Sequence, residues 1–191
     1  MGNNYMKFKY LSLTLLLNIA FLSAVPSAGA GQILNLSENI KEIILKAKPV
    51  LGKKVSQKTF NGKPILITFF ASWWGSCRAE FVQLREFLNK GGTKRVNIIA
   101  INWTEERYEN SSLGRLNNMV RTFHPSIRVV RSNKQIEEYF SSLTNVPMSF
   151  IFNQQGKIIY GSGKQEFLGT EKLSKILENI RWESNIILGV N

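Results

Sequence analysis

The chain has 191 residues, 43% hydrophobic and 20% charged, the size and balance of one globular domain with a short extension. Lys and Arg number 25 against 13 acidic residues, all of them Glu, giving a formal net charge of +12. No period of roughly 20–50 residues recurs and no tract is low in complexity, which excludes solenoids, coiled coils and disordered tails. Cys77 is the one cysteine, which excludes an intramolecular disulfide.

Residues 1–30 have the pattern of a secretory signal peptide. Lys7 and Lys9 precede the apolar run Leu11 to Val25, and Ala28-Gly29-Ala30 matches a small-residue cleavage site. As a helix that run spans about 22 Å, short of the ~30 Å hydrocarbon core, which favours a cleaved leader over a membrane anchor by an uncleaved segment. Export is therefore expected, to the periplasm if the source is Gram-negative. Removing the leader leaves 23 basic residues against 13 acidic ones. Such a field attracts anionic surfaces, a membrane face included. The basic residues are scattered, with no run of five, which describes a dispersed basic surface better than a nucleic-acid site.

Ser37 to Lys48 has helical spacing at Ile40, Ile43, Ile44 and Ala47, with Ser37 placed to cap it and Pro49 to end it. Val55 to Phe60 is expected to form a short edge strand, and Asn61-Gly62 a turn. Ile65 to Phe70 is a continuous apolar run of the kind buried on both sheet faces. Arg78 to Lys90 places Phe81, Leu84, Phe87 and Leu88 on one side, an amphipathic helix. A second buried strand is expected over Val96 to Asn102 and a helix over Ser112 to Phe123. A short strand near Ile127 to Val130 and a helix near Gln135 to Phe140 follow. After Val146-Pro147, the runs Met148 to Phe152 and Ile158 to Tyr160 flank Asn153 to Gly156 as a hairpin. Thr170 is placed to cap a final helix with Leu173, Ile176, Leu177 and Ile180 inward. Alternating strands and helices followed by an antiparallel hairpin imply an α/β fold, a central mixed sheet with helices on both faces. The chain divides into a leader 1–30, a helical extension 31–54 and a domain 55–191.

The segment Gly62 to Phe81 carries the chemistry: a buried strand, then Ala71-Ser72-Trp73-Trp74-Gly75-Ser76-Cys77-Arg78-Ala79-Glu80-Phe81 opening a helix. It resembles the thioredoxin superfamily, in particular the TlpA/ResA-like exported thiol-disulfide oxidoreductases, which carry Trp-Cys-Gly-Pro-Cys-Arg-Ala-Glu-Phe after such a strand. The similarity runs from about Val55 to about Ile180 and includes Val146-Pro147, where the family holds a cis-proline facing its active site. The resemblance implies a thioredoxin-like three-layer fold, and a substrate groove formed by Trp73, Trp74, Gly75, Ser76, Val146 and Pro147.

Thiol-disulfide exchange needs a thiolate that attacks a disulfide and a second thiol that resolves the mixed disulfide. A three-residue separation, i to i+3, at a helix start puts both cysteines on one face, with the first exposed where backbone amides favour its thiolate. By the resemblance, Trp74 occupies that first position and Cys77 the second, resolving one. Ser76 stands in place of the family's proline, Val82 in place of a helix-kinking proline, and Thr68 supplies no carboxylate or amide under the site. The dithiol cycle is therefore incomplete.

Two functions remain open. One is a redox-inactive module that binds protein or peptide clients with Trp73 and Trp74 as apolar anchors. The other is a monothiol oxidoreductase whose Cys77 forms mixed disulfides with a small thiol or a partner oxidoreductase. A third arrangement, a homodimer linked through Cys77, requires that thiol at the surface, and a monomer is expected. One His and one Cys make a poor metal set, so no metal and no cofactor is expected. His124, before Pro125, is assigned a surface or capping role.

Overall fold

The computed structural model describes residues 34–52, 54–107, 112–141, 143–162 and 167–188. The leader expected over 1–30 lies outside the described residues.

Five strands form one mixed sheet: β1 (Ile65–Phe70), β2 (Asn97–Asn102), β3 (Arg128–Arg131), β4 (Met148–Phe152) and β5 (Ile158–Gly161). Their order is β3-β2-β1-β4-β5, with β1, β2 and β3 parallel and β4 and β5 antiparallel to their neighbours. The helices are α1 (Glu38–Lys46), α2 (Gly75–Asn89), α3 (Leu113–Arg121), α4 (Lys134–Tyr139) and α5 (Thr170–Leu188).

β1 and β4 are buried along their whole length, as a central strand with helices on both faces must be. Period-two alternation sends successive β1 side chains to opposite faces. Phe70 packs edge-on against Phe81 of α2 and against Phe123, which itself stacks on Phe81 at 3.7 Å. Phe69 turns the other way, to Phe140 after α4 and to Phe150. The sheet is thus covered on both sides, the three-layer α/β arrangement expected.

The edge of β3 is sealed from within the chain. Val50 donates its amide to Val129 O (3.1 Å) and Arg131 donates to Lys48 O (2.8 Å), which adds a short antiparallel segment to an otherwise exposed edge. α1 precedes that segment, and its Ile40 and Ile44 are fully buried in the same core as the sheet. Ser37 takes the cap position of α1, but its side chain accepts no capping hydrogen bond.

Three local expectations differ from what forms. Val55 to Phe60 is not a strand: Gln57–Phe60 closes a 3-10 turn in which Ser56 N donates to Thr59 Oγ1 at 3.1 Å. Only the two ends of that segment, Val55 and Phe60, are apolar and buried, so the polar middle is free to satisfy its backbone locally. α2 starts at Gly75 rather than Arg78, which brings Cys77 into its first turn. Thr170 is the first residue of α5 rather than its side-chain cap, and its amide is satisfied by Gln83 Oε1 of α2 at 3.1 Å.

Candidate functional site

The residues singled out by sequence gather at one end of the sheet. Register pairs Phe69 with Met148 and Phe70 with Asn102. The segment leaving β1 (71–77), the segment entering β4 (145–147) and the turn leaving β2 (103–107) therefore share that end. It is where parallel strands present their carboxyl termini, the common location of α/β binding sites. The Val146-Pro147 peptide is cis, and both residues are buried.

Trp74 is the N-cap residue of α2, with extended backbone and no side-chain cap. The residue is 42% exposed, and the following Gly75 and Ser76 are exposed too. Trp73 is half-buried against the core, donates Nε1–H to Thr104 O at 3.4 Å and meets Trp74 edge to face, centroids 5.7 Å apart. An aromatic pair with one ring anchored and the other presented offers a large, preoriented apolar contact.

Cys77 is three residues on and fully buried. Burial pushes its thiol up to about 12, against a backbone hydrogen bond with Ala71 that favours the thiolate. The nearby carboxylates of Glu80 and Glu105 add to the rise. A thiol so placed is protonated at neutral pH, so its nucleophilicity is suppressed.

Thr68 supplies no carboxylate itself but donates to one, Glu80. This fully buried side chain of α2 accepts from Thr68 Oγ1 (2.7 Å) and Ser149 Oγ (3.1 Å) at Oε1, and from Leu168 N (3.3 Å) at Oε2. Thr68 and Ser149 are cross-strand partners on β1 and β4, so one carboxyl ties α2 to both central strands. Burial raises its pKa, with the hydrogen bonds from Thr68, Leu168 and Ser149 acting in the opposite direction. The signal was in the sequence: Glu80 falls among Cys77, Phe81, Leu84 and Leu88, on the inward stripe of the helix.

Glu105 was missed as well, and its position in the polar stretch Thr104 to Arg107 gave no periodic signal. It is 3% exposed and accepts from Ser72 N (3.0 Å) and Asn102 Nδ2 (2.8 Å) at Oε2, and from the Ser72 hydroxyl at Oε1. His124, expected in a surface or capping role, is partly buried in the turn before β3, where its Nδ1 accepts from Ser126 N at 3.1 Å. Among the described residues no cluster of three or more His, Cys or Glu side chains is placed to hold a metal ion.

With this arrangement in place, comparison with known proteins gives a Redoxin match across residues 35–175. The chain belongs to the Redoxin family. Within it the likeness is to TlpA/ResA-like proteins of the thioredoxin superfamily. The thiol:disulfide interchange protein DsbE of Yersinia pestis is 32% identical over 115 residues, 54% of this chain and 57% of that protein. The thiol-disulfide oxidoreductase ResA of Bacillus thuringiensis subsp. konkukian (strain 97-27) is 26% identical over 132 residues, 68% of this chain and 69% of that protein. The chain thus spans little more than half the length of the Yersinia relative. Among solved structures, a thiol-disulfide isomerase from Corynebacterium glutamicum superposes with a TM-score of 0.57 at 15% identity, covering 72% of this chain and 94% of that one. StoA from Bacillus subtilis superposes with a TM-score of 0.53 at 18% identity, covering 68% and 92%. These structural likenesses establish a thioredoxin-like fold.

Proposed function

We propose that this Redoxin-family chain is an exported, redox-inactive module that binds protein or peptide clients through the surface headed by Trp74, beside Val146-Pro147. One contrast carries the reading: at the head of α2 an indole is exposed where the family resemblance places an attacking cysteine, and the chain's single thiol is buried with its pKa near 12. Gly75 and Ser76 are open to solvent beside Trp74, so a client meets apolar area with backbone donors around it. The leader pattern over 1–30 and the names of the thiol-disulfide relatives support work in an exported, disulfide-handling setting. The basic surface adds long-range attraction to acidic clients and to anionic membrane faces.

The test is insulin-disulfide reduction with dithiothreitol as the terminal reductant, run on the wild type, Trp74→Cys and Cys77→Ser. In Trp74→Cys the introduced thiolate attacks one insulin sulfur and releases the other as a thiol. Cys77 then resolves the mixed disulfide, and dithiothreitol reduces the resulting intramolecular disulfide. The wild type is expected to run at the dithiothreitol background and Trp74→Cys clearly above it. An active wild type whose activity disappears in Cys77→Ser would overturn the binding reading in favour of single-thiol chemistry.

A further inference from the structure

Glu105 sits where β2 ends, at the start of the short 3-10 turn Glu105–Arg107. Its two oxygens take three hydrogen bonds, two from Ser72 and one from Asn102. Asn102 Nδ2 also reaches Phe70 O at 3.3 Å, and Trp103 N donates to Phe70 O at 2.8 Å. One carboxylate therefore laces the ends of β1 and β2 to the residue that precedes Trp73. Among the described residues no Lys or Arg forms an ion pair with it. A nearly buried carboxylate compensated by hydrogen bonds alone is an expensive way to make a turn, since a neutral side chain avoids the desolvation.

The adjacent backbone carries strain of its own. Thr104 has φ of 59°, the one positive φ of a non-glycine residue among the described residues, and a β-branched side chain rarely adopts it. That conformation accompanies a Thr104 carbonyl that accepts the Trp73 indole N–H. Glu105 and Thr104 thus grip consecutive residues, Ser72 by its amide and hydroxyl and Trp73 by its ring. The Trp73 ring in turn abuts the exposed Trp74 ring at 5.7 Å. Glu105 thus reaches the presented indole through its bonds to Ser72, the adjoining peptide units, the Trp73–Thr104 hydrogen bond and the Trp73–Trp74 ring contact.

We infer that Glu105 is a positioning residue for client binding: by holding Ser72 and, through Trp73, the Trp74 indole, it presents the apolar anchor preorganised. The inference rests on the reading of Trp74 as the binding group. Its energetic content is ordering done before the client arrives, which lowers the entropy lost on binding.

The test uses the full chain labelled with 5-fluorotryptophan. The fluorine resonances of Trp73 and Trp74 are assigned with Trp→Phe variants, and the affinity for reduced, carboxymethylated α-lactalbumin is measured by calorimetry. Glu105→Ala is expected to shift and broaden both resonances and to weaken lactalbumin binding by about tenfold. Glu105→Gln keeps an acceptor for Ser72 N and Asn102 Nδ2, so its resonances stay near wild type and its affinity within about threefold. A folded Glu105→Ala with wild-type resonances and affinity overturns the inference, and so does a Glu105→Gln as damaged as Glu105→Ala. Should Glu105→Ala not fold, Ser72→Ala removes the hydroxyl bond alone: a smaller displacement of both resonances supports the inference, and none overturns it. A Trp74→Ala that binds lactalbumin as well as wild type sinks the binding reading itself, while the resonances still decide whether Glu105 holds the indoles.

Discussion

Cys77 and Glu80 are two buried acids of α2 whose folded-state pKa values are both raised, chiefly by burial. A raised value means that the folded state holds the proton more tightly than the unfolded chain, so stability is lost as pH climbs from the unfolded value toward the folded one. For Glu80 the loss begins above about 4.5, and for Cys77 it runs from about 9 to about 12. Urea melts at a series of pH values are expected to show the stability of wild type relative to Glu80→Gln falling as pH rises above about 4.5. Relative to Cys77→Ala, it should hold level to about pH 9 and fall beyond. Parallel curves in either pair would mean that the residue ionises in the fold as it does in the unfolded chain. At this scale the sequence marked Trp73, Trp74, Cys77 and Pro147 through a motif. Glu80 was legible only as a place on the inward stripe of α2, and Glu105 not at all, because a buried carboxylate is recognised by its donors, and Thr68, Ser149 and Leu168 for the one and Ser72 for the other come from other parts of the chain.

Elements whose signal is hydrophobic periodicity formed close to where that signal put them, because burial of β1, β4 and the inward stripe of α2 decides their conformation. The segment 55–60 shows the opposite case: with apolar residues only at its ends, local Ser56–Thr59 hydrogen bonding outweighed the strand propensity of its flanks. The β4–β5 turn was legible from Asn153 and Gly156, yet its tie to the N-terminal segment was not. Asn153 Oδ1 accepts from Gln155 N and Lys157 N, Gly156 has φ of 79°, and its carbonyl takes the Leu36 amide at 2.7 Å. A Cβ at Gly156 would stand 2.8 Å from Leu36 O, whereas at Gly62, with φ of 76°, it meets nothing within 4 Å. Gly62→Ala is therefore expected to cost about 1–2 kcal/mol, the left-handed backbone penalty alone. Gly156→Ala is expected to cost more, by the clash with Leu36 O. Urea midpoints of the two variants measure the difference, and equal shifts would show that the 35–36 segment yields freely.

Whether residues 35–50 are an appendage or part of the domain is a question about the whole molecule, and composition cannot settle it, since an amphipathic helix needs a core without specifying which one. Four separate ties answer it here. Ile40 and Ile44 are fully buried in the common core, Leu36 bonds to Gly156, the Tyr139 hydroxyl donates to Asn35 O, and Lys48 and Val50 pair with β3. Because these ties reach both the β3 edge and the β4–β5 turn, loosening α1 loosens strands at opposite ends of the sheet order. Ile44→Ala should then lower the stability of the entire domain by about 2–5 kcal/mol, the range for emptying a buried aliphatic site. The unfolding transition is expected to stay single, with tryptophan fluorescence and far-ultraviolet dichroism moving together, since Trp73 and Trp103 lie far from α1 in sequence but in the same cooperative unit. If the fluorescence transition stayed at its wild-type midpoint while part of the helical signal melted early, α1 would be a separately stable extension, and the sealing of the β3 edge would contribute nothing to the strands that carry the site.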